Sequence, residues 1–256
     1  MKLDNTISAI ITGGASGLGE ACARRFAASG VKVAILDMNA NRGAALAAEI
    51  NGIFVQTDVS NAQSVADALG ISRAAHGQER ICINCAGIAS SSKTVDRDGF
   101  CHDAENFSRT IQINLIGTFN VASQSAAGMV ATDPLDGDGT RGVIINTASV
   151  AAFEGQIGQT AYAASKGGVA AMTLPMARDL SRNGIRVMAI APGLFKTPML
   201  AGLPDDVQAS LASQVPFPQR LGNPSEFAEL AGHIVENQLL NGEVIRLDGA
   251  IRMAAR

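Results

Sequence analysis

Short apolar runs alternate along the chain with longer alanine-rich stretches of helical periodicity. The apolar runs are rich in β-branched residues and bounded by turn residues, which predicts buried strands. We expect seven strands, at residues 6–12, 31–36, 53–56, 81–84, 142–147, 185–191 and 243–247. Helices are expected up to about residue 29 and at residues 40–50, 104–131, 160–181 and 225–237. Because the two patterns alternate without a linker or repeat, the chain predicts one α/β domain, a doubly wound seven-stranded parallel sheet with helices on both faces.

A glycine-rich turn follows the first predicted strand, with Gly13, Gly17 and Gly19 ahead of a helical stretch. Bare backbone in such a turn lets phosphate oxygens reach the N–H groups at the helix N-terminus, where the helix dipole favours anions. Gly19 would let the helix pack closely on the sheet. The alternative is an ordinary turn between a strand and a helix. The strand–loop–helix order favours the phosphate-binding interpretation.

Carboxylates stand at the ends of the second and third predicted strands. Asp37 lies 18 residues after Gly19, where an acid that accepts hydrogen bonds from ribose hydroxyls is expected. Because that carboxylate would repel a 2′-phosphate, it favours NAD over NADP. The alternative is a helix N-cap, a role that Asn39 can serve instead. Asp58 either meets the adenine amino group or caps its own loop, and Ser60 is expected to cap the next helix.

The only tyrosine of the chain, Tyr162, lies four residues before Lys166 in a predicted helix, so both side chains share one helix face. A tyrosine hydroxyl titrates near ~10, and a neighbouring ammonium is expected to lower that pKa. Such a phenol can take a proton from an alcohol or return one to an alkoxide. Ser149 follows the fifth predicted strand, at the sheet edge where open α/β folds bind ligands. Together the three residues predict a proton-handling site for an alcohol or a ketone; the alternative is a surface i,i+4 pair.

Composition sets limits on partners and location. The formal net charge of −3 gives no electrostatic case for nucleic acid or an anionic membrane surface. The apolar runs fall short of the ~20 residues of a membrane span. Residues 1–6 resemble neither a signal peptide nor a transit peptide. We therefore expect a cytoplasmic protein that binds neither nucleic acid nor membrane.

The cysteines and histidines predict no metal site. Cys82 and Cys85 match C-x-x-C, but they lie in a strand-like run, where residues i and i+3 point to opposite faces. A redox or zinc role is therefore not expected for that pair. His76, His102 and His233 are scattered without metal-ligand spacing.

Further features of the chain bear on a site. Asn114 has apolar neighbours inside the predicted long helix, so we expect it to be buried with hydrogen-bond partners. Residues 89–103 form a loop longer than the usual connection, with Asp103 as the cap of the following helix. Residues 195–211 are a candidate lid. The short apolar tail, residues 248–256, is either docked on the domain or part of a subunit contact.

Taken together, these motifs resemble those of the short-chain dehydrogenase/reductase family across nearly the whole chain. They are residues 12–19, the turn Asn84-Cys85-Ala86-Gly87, Asn114, Ser149, Tyr162-x-x-x-Lys166 and Pro192-Gly193. The departure is Cys85, where the family usually has asparagine. The resemblance implies a Rossmann-type fold, in which residues 1–145 mainly form the NAD-binding half and residues 146–256 the catalytic and substrate half.

Within that family the chain is similar to the branch of type-2 3-hydroxyacyl-CoA dehydrogenases. The shared segments are residues 142–156, 214–218 and 240–253. This branch also carries cysteine at the position of Cys85 and an inserted loop at about residues 89–103. Its enzymes are usually tetramers of identical subunits, so the resemblance implies a homotetramer here, with the C-terminal segment in a contact.

The resemblance also implies roles for single residues. Tyr162 is the catalytic base, Lys166 lowers its pKa and holds the nicotinamide ribose, and Ser149 orients the substrate oxygen. Asn114 maintains a water that links Lys166 to solvent. The expected NAD contacts are Gly13, Ser16, Gly17, Leu18, Gly19, Asp37, Asp58, Val59, Cys85, Ala86, Gly87, Tyr162, Lys166, Phe195 and Thr197.

The implied activity is NAD-dependent interconversion of a secondary alcohol and a ketone, most closely a 3-hydroxyacyl-CoA and its 3-ketoacyl-CoA. Gln156 and Gln159 are then expected to help hold the acyl chain, beside Ser149 and Tyr162. Three alternatives stay open. The same machinery could act on a steroid, a sugar alcohol or a simple ketone; the chain could be an NADPH-dependent ketoacyl reductase, which Asp37 disfavours; or it could be a scaffold protein that has lost the chemistry.

Overall fold

Seven parallel strands form one sheet in the computed structural model, which describes residues 1–202 and 204–255 and only the backbone of Met199 and Ala201. The strands are β1 (Ser8–Thr12), β2 (Lys32–Asp37), β3 (Ile53–Gln56), β4 (Ile81–Asn84), β5 (Gly142–Thr147), β6 (Ile185–Pro192) and β7 (Val244–Leu247). Their order across the sheet is β3-β2-β1-β4-β5-β6-β7, so the direction of winding reverses between β1 and β4. Open α/β sheets bind ligands at the carboxyl edge beside such a reversal.

Helices connect the strands on both faces of this sheet. They are α1 (Gly17–Ala28), α2 (Ala40–Glu49), α3 (Ala62–His76), α4 (Ala104–Ile111), α5 (Gly117–Val130), α6 (Thr160–Leu180), α7 (Pro198–Ala201), α8 (Asp205–Ser213) and α9 (Pro224–Glu236). Short 3₁₀ turns at Val150–Ala152 and Ser181–Asn183 flank α6. The predicted doubly wound α/β architecture is confirmed.

Two hydrophobic clusters cover the two faces of the sheet. Successive strand residues alternate between them: Ile11 packs with α1 and α9, whereas Ile10 packs with α3 and α5. Because both faces are covered, each central strand is a continuous apolar run. Cys82 lies in the second cluster and Cys85 packs against the first. The prediction that these two cysteines point to opposite faces is therefore confirmed.

The helix predicted at residues 104–131 is interrupted by a π-helical turn at Gln112–Ile116, between α4 and α5. Such turns are common at functional sites because one extra residue redirects the side chains inside the turn. Here the turn contains Asn114, which is fully buried. Asp103 caps α4 as predicted, since its side chain accepts a hydrogen bond from the Glu105 N–H at 2.9 Å.

The prediction that Ser60 caps α3 is wrong by one residue. The Asn61 side chain is the cap, because it accepts hydrogen bonds from the N–H groups of Gln63 at 2.9 Å and Ser64 at 3.1 Å. The Ser60 hydroxyl is engaged elsewhere, since it donates to Asp58 at 2.6 Å.

Two long loops and the tail pack near the carboxyl edge of the sheet. The loop of residues 89–103 contacts the segment before α6, where the Ser92 N–H donates to the Gly158 carbonyl at 2.8 Å. The candidate lid at residues 195–211 contains α7 and most of α8, and its Leu203 lies outside the described residues. The tail is docked on its own domain up to residue 255, and Arg256 lies outside the described residues. In the described part of the chain, no helix combines the length and the apolar character needed to cross a membrane.

We expect Phe227→Ala to destabilise the fold strongly. Phe227 on α9 is fully buried and meets Phe195 edge to face, with ring centroids 6.5 Å apart. Truncation of a buried phenylalanine to alanine costs about 3–5 kcal/mol of unfolding free energy. Urea denaturation of the wild type and the variant measures this loss. The control is Phe100→Ala, at a side chain that is 70% exposed, where we expect a change within about 0.5 kcal/mol. Equal effects of the two substitutions would contradict the assignment of Phe227 to the core.

Candidate active site

A cavity of about 1200 Å³ opens along the carboxyl edge of the sheet. It runs past the ends of β3, β2, β1, β4, β5 and β6, which at about 4.8 Å between neighbouring strands spans roughly 24 Å. Of the site residues predicted from the sequence, the following line it: Gly13, Ser16, Gly17, Leu18, Gly19, Asp37, Asp58, Val59, Cys85, Ala86, Gly87, Ser149, Gln156, Gln159, Tyr162, Lys166, Phe195 and Thr197. The fold therefore gathers residues from across the whole chain into one elongated site.

The glycine-rich turn after β1 forms one side of this cavity. Gly13 has a φ of +61°, and a Cβ there would lie 2.7 Å from the Ala86 nitrogen. A Cβ on Gly19 would overlap the Gly13 carbonyl oxygen. The turn therefore closes tightly on the start of α1 and leaves bare backbone facing the cavity, as a bound pyrophosphate requires.

The Asp37 carboxylate ends β2 at one end of the cavity. Its Oδ2 accepts from the Ala15 N–H at 3.0 Å, and its Oδ1 accepts from the Asn39 N–H at 2.9 Å. The cap of α2 is Asn39, whose side chain accepts from the Arg42 N–H at 3.1 Å. Asp37 is thus held in place by the glycine-rich turn and is not the helix cap.

Asp58 caps its own loop, which settles one of the two roles that the sequence left open. Its Oδ1 accepts from the Ser60 N–H at 2.9 Å and from the Ser60 hydroxyl at 2.6 Å. The residue also lines the cavity. A contact with adenine is therefore compatible with the cap.

Ser149 and Tyr162 meet at the other end of the cavity. Ser149 follows β5 and begins a 3₁₀ turn by accepting a hydrogen bond from the Ala151 N–H at 3.1 Å. Tyr162 lies in the first turn of α6, and its phenol interacts with the Ser149 hydroxyl. A substrate oxygen placed against this pair would contact both hydroxyls.

Lys166 lies one turn along α6 and is buried, with only 5% of its surface exposed. Its Nζ donates to the Thr147 carbonyl oxygen at 2.7 Å and lies 5.8 Å from the centre of the Tyr162 ring. A buried ammonium needs such an acceptor. The carbonyl at the end of β5 therefore fixes where the lysine points.

The pKa of Tyr162 differs in direction from the prediction. Burial raises it, and the interaction with Ser149 offsets only part of that rise. Burial also lowers the pKa of Lys166 to about 8. The predicted lowering of the Tyr162 pKa by Lys166 is not found in the chain alone, because desolvation disfavours the phenolate and the ammonium is directed at Thr147.

Asn114 stands behind the cavity wall and holds the turn after β4. Its side chain donates to the Ile88 carbonyl at 2.9 Å and to the Ser165 hydroxyl at 3.1 Å, and it accepts from the Ile88 N–H at 2.8 Å. A Cβ on Gly87 would lie 3.1 Å from the Asn114 Oδ1 and 3.6 Å from the Lys166 Nζ. The buried partners expected for Asn114 are confirmed. Its role toward a water stays a prediction.

The cysteines differ in their access to the cavity. Cys82 is fully buried, and burial raises the pKa of its thiol. Cys85 lines the cavity and accepts from the Thr147 hydroxyl at 3.4 Å. Within residues 1–202 and 204–255, no three His, Cys, Asp or Glu side chains lie where they could hold a metal ion.

Sequence reasoning missed several cavity residues. The Thr147 backbone oxygen holds Lys166, and a backbone acceptor has no pattern in a sequence. Arg109 on α4 also lines the cavity, although no role at the site was expected for it. Met253 reaches it from the tail. The apolar character of the tail left docking and a subunit contact both open, and it did not indicate the surface on which the tail docks.

Comparison with known proteins gives consistent matches over the whole chain. The family of short chain dehydrogenases matches residues 8–208. A Homo sapiens protein named 3-hydroxyacyl-CoA dehydrogenase type-2 is 54% identical over 248 residues, which cover 96% of this chain and 95% of that protein. The Drosophila melanogaster protein of the same name is 52% identical over 254 residues, which cover 98% and 99% of the two chains. The crystal structure of 3-hydroxyacyl-CoA dehydrogenase type-2 from Mycobacterium avium matches at a TM-score of 0.94 and 44% identity, with both chains covered fully.

We expect Lys166 to make the stability of the chain rise between about pH 7.5 and 9.5. Its folded pKa of about 8 lies below that of an unfolded lysine, so the unfolded chain binds more protons in this window and stability increases with pH. Above the folded pKa, the free energy of unfolding should rise by about 1.4 kcal/mol per pH unit. Between about pH 7.5 and 9.5 the wild type should therefore gain about 2 kcal/mol of unfolding free energy relative to Lys166→Met. Urea denaturation at the two pH values measures this. A stability difference between the two proteins that stays constant with pH would contradict the assignment.

Proposed function

The chain belongs to the short-chain dehydrogenase family, and from that premise we propose that it is an NAD-dependent 3-hydroxyacyl-CoA dehydrogenase. It would interconvert a 3-hydroxyacyl-CoA and the corresponding 3-ketoacyl-CoA. The observation that carries the proposal is the convergence of Ser149, Tyr162 and Lys166 at one end of a cavity whose middle is the glycine-rich turn. The names of the relatives support the acyl-CoA substrate.

The residues of the cavity fit a nicotinamide dinucleotide. Gly13, Gly17 and Gly19 leave the backbone open to a pyrophosphate. Asp37 lies in the part of the cavity where the adenosine ribose would bind. When bound, the nicotinamide supplies the hydride exchange with the substrate carbon. Lys166, beside Gly87, would then lie next to the nicotinamide ribose.

Tyr162 handles the proton of the reaction. In oxidation it takes the proton of the substrate hydroxyl, and in reduction it returns a proton to the forming alkoxide. Burial raises the pKa of this phenol and so favours its protonated form, which is the form that reduction needs. Oxidation needs the phenolate and should speed up as the pH rises. Ser149 donates to the substrate oxygen and fixes its distance from the phenol.

The Asp37 carboxylate supports NAD over NADP. A 2′-phosphate on the adenosine ribose would meet this carboxylate, and its fixed orientation by Ala15 and Asn39 keeps it from turning away. Like charges placed in contact cost several kcal/mol. The ribose hydroxyls of NAD would instead donate to it.

Gln156 and Gln159 lie between the catalytic serine and tyrosine and line the same end of the cavity. The Gln159 side chain accepts from the Gln156 N–H at 3.0 Å, so the two form one fixed polar wall. We propose that this wall faces the thioester end of the acyl group. A steroid, a sugar alcohol or a simple ketone remains the competing substrate class.

We propose a homotetramer as the working assembly. Exposed apolar side chains on and beside α5, at Ile116, Phe119 and Val130, support a contact between copies. A location in the cytoplasm stays a prediction from the sequence.

We expect the protein to reduce acetoacetyl-CoA with NADH, followed by the loss of NADH absorbance. Tyr162→Phe should lower kcat by at least about 100-fold, because the proton donor is lost. NADH binding, measured by fluorescence, should be retained. Near-normal turnover in that variant would remove Tyr162 from the mechanism. Turnover of steroids or simple ketones without turnover of any acyl-CoA would overturn the proposed substrate.

We expect kcat/KM to be higher with NAD than with NADP. Asp37→Asn should lower the ratio of the two kcat/KM values by at least about tenfold, because the repulsion of the 2′-phosphate is removed. The control is Asp67→Asn, the same change of charge at an exposed position on α3. A preference for NADP in the wild type would refute the role given to Asp37.

A further inference from the structure

The C-terminal tail lies along the loop that joins Ser149 to Tyr162. The Gln156 side chain donates to the Ala254 carbonyl at 3.1 Å. The Ile157 N–H donates to the Ala255 carbonyl at 3.0 Å. The tail carbonyls thus pair with the loop that carries the polar wall of the cavity.

Glu154 is the centre of the contact between loop and tail. Its carboxylate accepts two hydrogen bonds from the Arg246 guanidinium, at 2.9 and 3.1 Å. It also accepts the Met253 N–H at 3.0 Å. The same guanidinium donates to the Ile251 carbonyl at 3.0 Å and to the Asp248 carboxylate at 2.8 Å. One ion pair therefore ties β7, the tail and the loop together.

This ion pair is better defined than an ordinary surface pair. The side chains of Glu154 and Arg246 are each only 23% exposed, and the two parallel bonds of the pair restrict its geometry. The Arg246 side chain also stacks over the Phe153 ring at 5.5 Å. The Arg246 hydrogen bonds hold the pKa of Glu154 below its usual value, so the pair persists throughout the neutral range.

Met253 is the residue that this arrangement places in the cavity. It lines the cavity together with Gln156, Gln159 and Tyr162, although it lies 91 residues after Tyr162 in the chain. The side chains of Gln156 and Gln159 are polar, so Met253 supplies an apolar and adaptable surface beside them. An alkyl chain that extends from a reacting carbon beside Tyr162 would run up against this side chain.

We propose that residues 251–255 form a wall of the substrate end of the cavity and that Met253 limits the size of the acyl group. Glu154 is the positioning residue, because it holds these tail residues against the loop that contains Gln156. The limit on the acyl group rests on the proposed function. The position of residues 251–255 beside the cavity does not depend on it.

Met253→Ala tests the limit on substrate size. The substitution opens space beside Gln156, so the ratio of kcat/KM for a medium-chain 3-ketoacyl-CoA to that for acetoacetyl-CoA should rise by about tenfold, mostly through KM. The control is Leu239→Ala, an apolar truncation at a side chain that is 93% exposed, which should leave the ratio unchanged. A ratio that stays within about twofold of the wild type in Met253→Ala would overturn the proposal.

Glu154→Gln tests the positioning without any substrate. Amide hydrogen exchange at Met253 and Ile157 should speed up by about tenfold, because the tail loses its charged acceptor. Glu229→Gln removes the charge of another ion pair, with Arg25 at 3.0 Å, and should leave those amides unchanged. Unchanged exchange in Glu154→Gln would refute the positioning role. If the wild type turned over no acyl-CoA, the proposed function would fail, and the exchange experiment would still decide whether the wall exists.

Discussion

A buried ammonium at the carboxyl edge of the sheet determines how the elements around the site fit together. Lys166 is 5% exposed, and its Nζ donates to the Thr147 carbonyl oxygen at 2.7 Å. A cation in such surroundings is tolerated only with well-placed acceptors. The bond therefore ties α6 to the end of β5 and places Tyr162, one turn earlier, beside Ser149. Burial lowers the pKa of Lys166 to about 8, because the site is shielded from water.

The surroundings of this lysine are built from small and amide residues. Gly87 leaves room for the ammonium, and Asn114 fixes the backbone of Ile88 with two hydrogen bonds, at 2.8 and 2.9 Å. The π-helical turn at Gln112–Ile116 aims Asn114 inward. A regular helix would place the residues of this segment differently with respect to the sheet. The irregularity in the long helix thus supports the end of the cavity that contains Tyr162 and Lys166.

The two ends of the cavity differ in how they are made. The end proposed for the cofactor consists of short segments that directly follow strands. These are the glycine-rich turn after β1 and the residues after β2 and β4. The substrate end is assembled from distant segments, which are the loop of residues 89–103, the loop before α6, the lid and the tail. Gly158 joins the first two of these, and Glu154 joins the second to the tail. In the proposed function, substrate choice would therefore depend on contacts between loops, whereas cofactor binding would depend on the sheet.

The sequence by itself determined the alternation of strands and helices, the glycine-rich turn, the acid after β2 and the Tyr162–Lys166 pair. Each of these is a local pattern, because periodicity and spacing act within a few residues of one another. The sequence predicted Ser60 as the cap of α3, because the hydrogen bond from the Ser60 hydroxyl to Asp58 depends on the conformation of the loop. It gave the wrong direction for the pKa of Tyr162, because burial and the Thr147 carbonyl belong to the folded surroundings. Only the tertiary structure brought Met253 into the cavity, since a contact between residues about a hundred positions apart is decided by packing and leaves no trace in local spacing.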